Sequence, residues 1–139
     1  MKLKALGIVA ATGLAVLSLA ACSTAPGGNS SASKGTTIGD NFKLGYDLEL
    51  SGAVAAYGNA GKKGADLAAD EINKAGGING KQIKVISKDN KSDNVEAATV
   101  ASNLINNDKV NAIIGSMTSG AVKSMTPNVT KGAVPLVTP

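Results

Sequence analysis

The sequence predicts an α/β protein built on a parallel sheet with helices on both faces. Three observations lead there. Segments with an apolar period of two alternate with segments of helical period. Turn residues such as Gly76-Gly77 and Asn79-Gly80 separate them. A later strand, Val110 to Gly115, is a short apolar run of the kind buried on both faces. Strands that alternate with helices close a parallel sheet through right-handed crossovers.

In chain order, Phe42 to Leu50 places Leu44, Tyr46, Leu48 and Leu50 on one side and Lys43, Gly45, Asp47 and Glu49 on the other, which predicts a strand. From Gly58 to Ala75, Ala60, Leu67, Ala68, Ile72 and Ala75 recur at helical spacing, with Gly76-Gly77 as a left-handed stop. Lys81 to Lys88 predicts a second strand, bounded by Asn79-Gly80 and Asp89-Asn90. Asp93 with Glu96 three residues on resembles a capping box. Behind it Ala97, Val100, Ala101, Leu104 and Ile105 fit one helix face. Val110 to Gly115, Ser119 to Val129 and Val134 to Val137 complete a β-α-β-α-β-α-β order. Ligands of such sheets bind beyond the carboxyl ends of the strands. The informative segments are therefore Ser51 to Tyr57, Asp89 to Asp93, Ser116 to Gly120 and whatever follows Thr138.

The chain ahead of this core has a different character. Lys2 and Lys4 precede an apolar run from Ala5 to Ala21, and Leu19-Ala20-Ala21-Cys22 closes it with the single cysteine of the 139 residues. This layout reads as a lipoprotein signal over residues 1–21. Glycine, threonine and serine dilute the run, which weighs against a transmembrane helix. Cleavage would leave Cys22 as a lipid-bearing first residue, exported and anchored on the outer face of the cell membrane, as in a Gram-positive bacterium. Residues 22–39, rich in serine, glycine, alanine and threonine, read as a flexible tether. Residues 40–139 are enough for one small core.

Composition excludes several functions. Loss of Lys2 and Lys4 with the signal lowers the formal charge from +4 to +2, and the remaining lysines are scattered. There is no arginine, and the three aromatics are Phe42, Tyr46 and Tyr57, so a nucleic-acid partner is not expected. With no histidine and Cys22 taken by lipid, Ser-His-Asp and Cys-His arrangements and His/Cys metal sites are absent from the sequence. Around Gly61-Lys62 a phosphate loop fails, because Ala56 replaces its first glycine and Lys63 its Ser/Thr. Asp89 and Asp93 lack calcium-loop spacing and read as turn and cap residues. An enzyme is not expected, nor is a cofactor.

Several strings are more specific: Leu44-Gly45, Leu50-Ser51-Gly52, Ala56-Tyr57-Gly58, Asp70-Glu71-Ile72-Asn73, Gly76-Gly77-Ile78-Asn79-Gly80, Ile114-Gly115 and Thr118-Ser119. Together they resemble the branched-chain amino-acid binding lipoproteins of ABC importers, over essentially all of residues 42–139. The resemblance implies a type I periplasmic-binding-protein fold, in which two lobes close on a small amino acid such as leucine, isoleucine or valine. It implies delivery to permease subunits in the membrane, driven by cytoplasmic ATPases. It further implies that such proteins continue past Pro139 into the rest of the first lobe and a second lobe. On that reading residues 40–139 are an incomplete first lobe without leucine affinity of its own. A lipoprotein binding another small solute (an amide, urea or another amino acid) and a sensor built from the same lobes are the alternatives.

The resemblance also implies site residues. The serine matching Ser119 contacts the ligand carboxylate, and the tyrosine matching Tyr57 lies against the ligand, with Thr118 as a neighbour. From the residues alone the plain N-cap reading of Ser119 comes first, and the resemblance reverses that order; Tyr57 alone reads as a partly buried loop ring. Chemically, a strand end that opens a helix offers a hydroxyl and backbone N–H groups to a carboxylate. Glu49 stands where the family commonly has proline. It reads as a solvated carboxylate at the strand end, or as a partner for the ligand ammonium.

Overall fold

The computed structural model describes residues 37–139. The signal, Cys22 and nearly all of the tether fall outside them. Four strands and three helices alternate: β1 Phe42–Leu48, α1 Ala55–Lys74, β2 Ile83–Asp89, α2 Asn94–Asn103, β3 Ala112–Gly115, α3 Ser119–Gly132 and β4 Leu136–Val137. All strand pairs are parallel, in the order β2-β1-β3-β4. Leu44 in the central part of β1 stands opposite Val85 of β2 and Ala112 of β3. Chain order reverses across β1, so β1 and β3 part at the switch point of the sheet.

The period of two in β1 sorts its side chains between two cores. Leu44, Tyr46 and Leu48 pack with Ala69 of α1 and Ile83. On the opposite face Val100, Ala101 and Leu104 meet Val110, Ile113 and Met125, Val129 and Val134. Gly45 leaves the room that Leu104 and Val110 occupy, since a Cβ there would stand 3.1 Å from Leu104 and 3.2 Å from Val110. Both faces of β1 are therefore covered, and Asp47 is buried along with Leu44, Tyr46 and Leu48. Among the described residues no helix is long and apolar enough to cross a membrane.

Element ends differ from the sequence expectation in physically legible ways. β1 ends at Leu48, after which Leu50 N–H turns to the Asp89 carboxylate at 2.9 Å. α1 begins at Ala55, before Gly58, without a side-chain cap. Gly58 is needed inside it, because a Cβ would collide with the Glu49 backbone. Past α1, Gly76 and Gly77 adopt positive φ of 105° and 79° and stop the helix as expected. Asn79 and Gly80 turn the chain back with Ile78 and Lys81 bridged, so β2 starts two residues later than Lys81. Half of the capping box forms: Asp93 accepts from the N–H groups of Val95 and Glu96, both at 2.8 Å, while Glu96 instead pairs with Lys91. α2 continues as a π turn over Leu104–Asp108, closed by left-handed Lys109. α3 runs on to Gly132 despite Pro127, whose missing N–H leaves one helical bond unmade. β4 is two residues long, and Val134 before it is buried.

Leu104 is fully buried where α2, β1 and α3 meet. Leu104→Ala is expected to cost about 3 kcal/mol, the usual penalty for a cavity in a close-packed core. A urea midpoint measured with an unchanged slope checks this.

Candidate functional site

The carboxyl ends of β1, β2 and β3 bring three loops together, and two buried carboxylates, one in β1 and one just beyond its end, hold them. Asp47 and Glu49 are both fully buried. The Asn90 amide, after β2, donates to Asp47 Oδ1 at 3.0 Å and stands 3.0 Å from Ser116 Oγ, after β3. Ser116 Oγ in turn donates to the Asp47 carbonyl at 3.0 Å. Asp47 Oδ2 has no partner among the described residues. Burial pushes the Asp47 carboxyl up to about 7; the Asn90 bond pulls it back, and the charges of Glu49 and Glu96 push it further.

Glu49 is not the solvated carboxylate that the alternation suggested. Its Oε2 accepts from Met117 N–H at 3.0 Å, and its Oε1 accepts from the Thr118 hydroxyl at 2.8 Å. Both oxygens are occupied and neither reaches solvent, so no oxygen of Glu49 faces a ligand ammonium. Sequence separation explains why this was missed: the partners lie 68 and 69 residues further along the chain. Asp89 fills its expected turn role. Burial works against its charge, but bonds from the Ser51 hydroxyl and from the N–H groups of Lys91, Ser51 and Leu50 prevail and hold it below the usual carboxylate range. It thereby ties the loop after β1 to the end of β2.

Ser119, Thr118 and Tyr57 surround this clamp. Thr118 is the N-cap of α3, with extended φ and ψ of −123° and 139°, yet its side chain makes no capping bond. Ser119 and Gly120 are exposed, and Val122 N–H makes the first helical bond, to the Thr118 carbonyl at 3.1 Å. Among the described residues nothing bonds the N–H groups of Ser119 and Gly120. A shallow pocket of about 200 Å³ lies here, lined by Met117, Thr118, Ser119, Val122, Lys123, Thr138 and Pro139. Tyr57 belongs to the first turn of α1 rather than to a loop, and the residue is 67% exposed. Gly58 beside it packs on the Glu49 backbone and Gly61 on the Met117 side chain, which sets the first turns of α1 next to the loop that opens α3. The arrangement can receive an anion at the α3 terminus, beside the first turns of α1 that carry Tyr57. Among the described residues no cluster of acidic, histidine or cysteine side chains could hold a metal.

Asp47 sets a pH dependence. Its folded pKa of about 7 exceeds the unfolded 3.8, so the folded protein keeps a proton that the unfolded chain releases. This group's contribution is therefore most favourable below about pH 4 and is lost as pH rises toward 7. Relative to wild type, Asp47→Asn is expected to gain urea resistance between pH 4 and pH 8. Parallel pH profiles for the two proteins would contradict it.

Comparison with known proteins agrees with this geometry. A family model described as periplasmic binding protein matches residues 41–139. The leucine-, isoleucine-, valine-, threonine- and alanine-binding protein of Pseudomonas aeruginosa is 33% identical over 100 residues, which are 72% of this chain and 26% of that protein. The crystal structure of the branched-chain amino acid transporter substrate-binding protein LivJ from Streptococcus pneumoniae, in complex with isoleucine, superimposes with a TM-score of 0.70 at 54% identity, covering 70% of this chain and 28% of that one. A solute-binding protein of an ABC transporter from Rhodopseudomonas palustris, in complex with 3,4-dihydroxybenzoic acid, gives 0.65 at 33% identity, covering 72% and 27%. The chain thus spans about a quarter of the length of these relatives. With its parallel sheet, its loops gathered at the carboxyl edge and these matches, the chain belongs to the periplasmic binding protein family.

Proposed function

We propose that residues 40–139 form part of the first of two lobes of an exported lipoprotein that captures a branched-chain amino acid for an ABC importer. The observation that carries this is the uncapped start of α3 at the carboxyl edge of a parallel sheet, with Ser119 exposed beside it. A carboxylate placed there receives the N–H groups of Ser119 and Gly120, the Ser119 hydroxyl and the positive end of the helix dipole. Thr118 has a complementary part. Its hydroxyl proton is committed to Glu49, so the lone pairs of its oxygen suit the ligand ammonium. Tyr57 offers an exposed ring to the aliphatic side chain. Binding without turnover agrees with the relatives, which are solute-binding proteins. Isoleucine and 3,4-dihydroxybenzoic acid, the ligands of two similar structures, share only the carboxylate, and it is the carboxylate that this lobe is built to meet.

The lipid on Cys22 would hold the protein at the outer membrane face, and residues 22–39 would let the lobes reach permease subunits whose ATPases lie in the cytoplasm. The test uses the native product extracted from membranes with detergent. Its intact mass is expected to show a lipid on Cys22, and calorimetric titration to show saturable binding of isoleucine, leucine or valine. Ser119→Ala is expected to weaken that binding about tenfold, as removal of a bond to a charged group does. Binding of 3,4-dihydroxybenzoate and of none of the three amino acids would contradict the proposed ligand.

A further inference from the structure

We infer that Glu49 is a positioning residue for the ligand carboxylate: it withdraws the Thr118 hydroxyl from the start of α3 and so keeps the helix N–H groups free for the ligand. The inference deepens the proposed function and rests on it. Two N-caps with polar side chains make the contrast. Asp93 and Thr118 have nearly the same extended backbone, with φ and ψ of −115° and 129° for Asp93 and −123° and 139° for Thr118. Asp93 turns its side chain inward and accepts from the N–H groups of Val95 and Glu96. Thr118 has a side chain that can also cap, yet its hydroxyl lies 2.8 Å from Glu49 Oε1 and makes no capping bond.

Glu49 can hold that hydroxyl because it is itself held. The residue is fully buried, its second oxygen accepts from Met117 N–H at 3.0 Å, and the α1 turn at Gly58 packs against its backbone. A carboxylate oxygen accepts from a hydroxyl more strongly than a neutral group does, so the Thr118 rotamer is fixed away from the helix. Without the carboxylate the hydroxyl is free to rotate and accept from the first turn of α3, competing with any anion that would bind there. Glu49 therefore acts through Thr118 and Met117 rather than by touching the ligand.

The test compares isoleucine with isoleucinamide, which keeps the ammonium and side chain but lacks the carboxylate charge, in the native lipoprotein and its variants. Glu49→Gln is expected to reduce the preference for acid over amide about tenfold. Adding Thr118→Val, which removes the competing hydroxyl, is expected to restore most of that preference, a rescue that mere loss of packing would not give. Thr118→Asn leaves Glu49 in place but supplies a capping oxygen, and is expected to lower the preference by a similar factor; it decides the matter should Glu49→Gln fail to fold. An unchanged preference in Glu49→Gln, or in Thr118→Asn where that variant decides, overturns the inference, as does a loss in Glu49→Gln that Thr118→Val does not relieve. Failure of the unaltered protein to bind isoleucine overturns the proposed ligand first, and this inference with it.

Discussion

Two carboxylates at the end of a central strand, both out of reach of water, set the terms for the rest of this lobe. A buried charge is tolerable only when neighbouring groups supply the hydrogen bonds that water would have given. Asp47 takes its bonds from the loop after β2 and Glu49 from the loop after β3. Satisfying β1 therefore requires the other two loops to come to it, and the functional edge of the sheet is assembled by that demand. Burial raises the proton affinity of Asp47, and the bond from Asn90 only partly offsets it, while Asp89, fed by four donors at a more open position, moves the other way.

The packing around the clamp works toward the same end. Gly45 admits Leu104 and Val110 against β1, and Gly58 admits α1 against the Glu49 backbone. A side chain at Gly58 would collide with the Glu49 backbone, and one at Gly45 would crowd the Leu104 and Val110 side chains near the loops that the carboxylates gather. Asp89 adds a further tie between the loop after β1 and the end of β2. The start of α3 is thus held on a frame whose parts are buried, while Ser119 and Tyr57 are left exposed beside it.

Much of this was legible in the sequence because local rules and tertiary demands coincide. The alternation in β1, the face formed by Ala97, Val100, Ala101 and Leu104, and the glycine stop after α1 all follow from patterns within a dozen residues, and the structure keeps each of them. Asp93 and Asp89 are likewise the cap and turn residues that their positions suggest. Glu49 was not legible. A charged residue at an alternating position looks solvated until its partners are known, and Met117 and Thr118 lie far along the chain. The same limit hid Asp47. Its place beside Glu49 in the alternation was plain, but its burial depends on α2 and α3 covering that face. Helix ends differ where tertiary contacts override propensity: α1 starts three residues before Gly58 because the loop after β1 is pinned, and α3 passes Pro127 as its spacing predicts but runs three residues beyond Val129, to Gly132.

The central claim is that an amino-acid carboxylate completes the uncapped end of α3. Backbone amide NMR on the isotope-labelled native protein, with and without isoleucine, tests it most directly. The account predicts that the Ser119 and Gly120 amides shift strongly and become slower to exchange on binding, with the Met117 amide protected in both states by Glu49. Saturable isoleucine binding that leaves the Ser119 and Gly120 amides unmoved would contradict it.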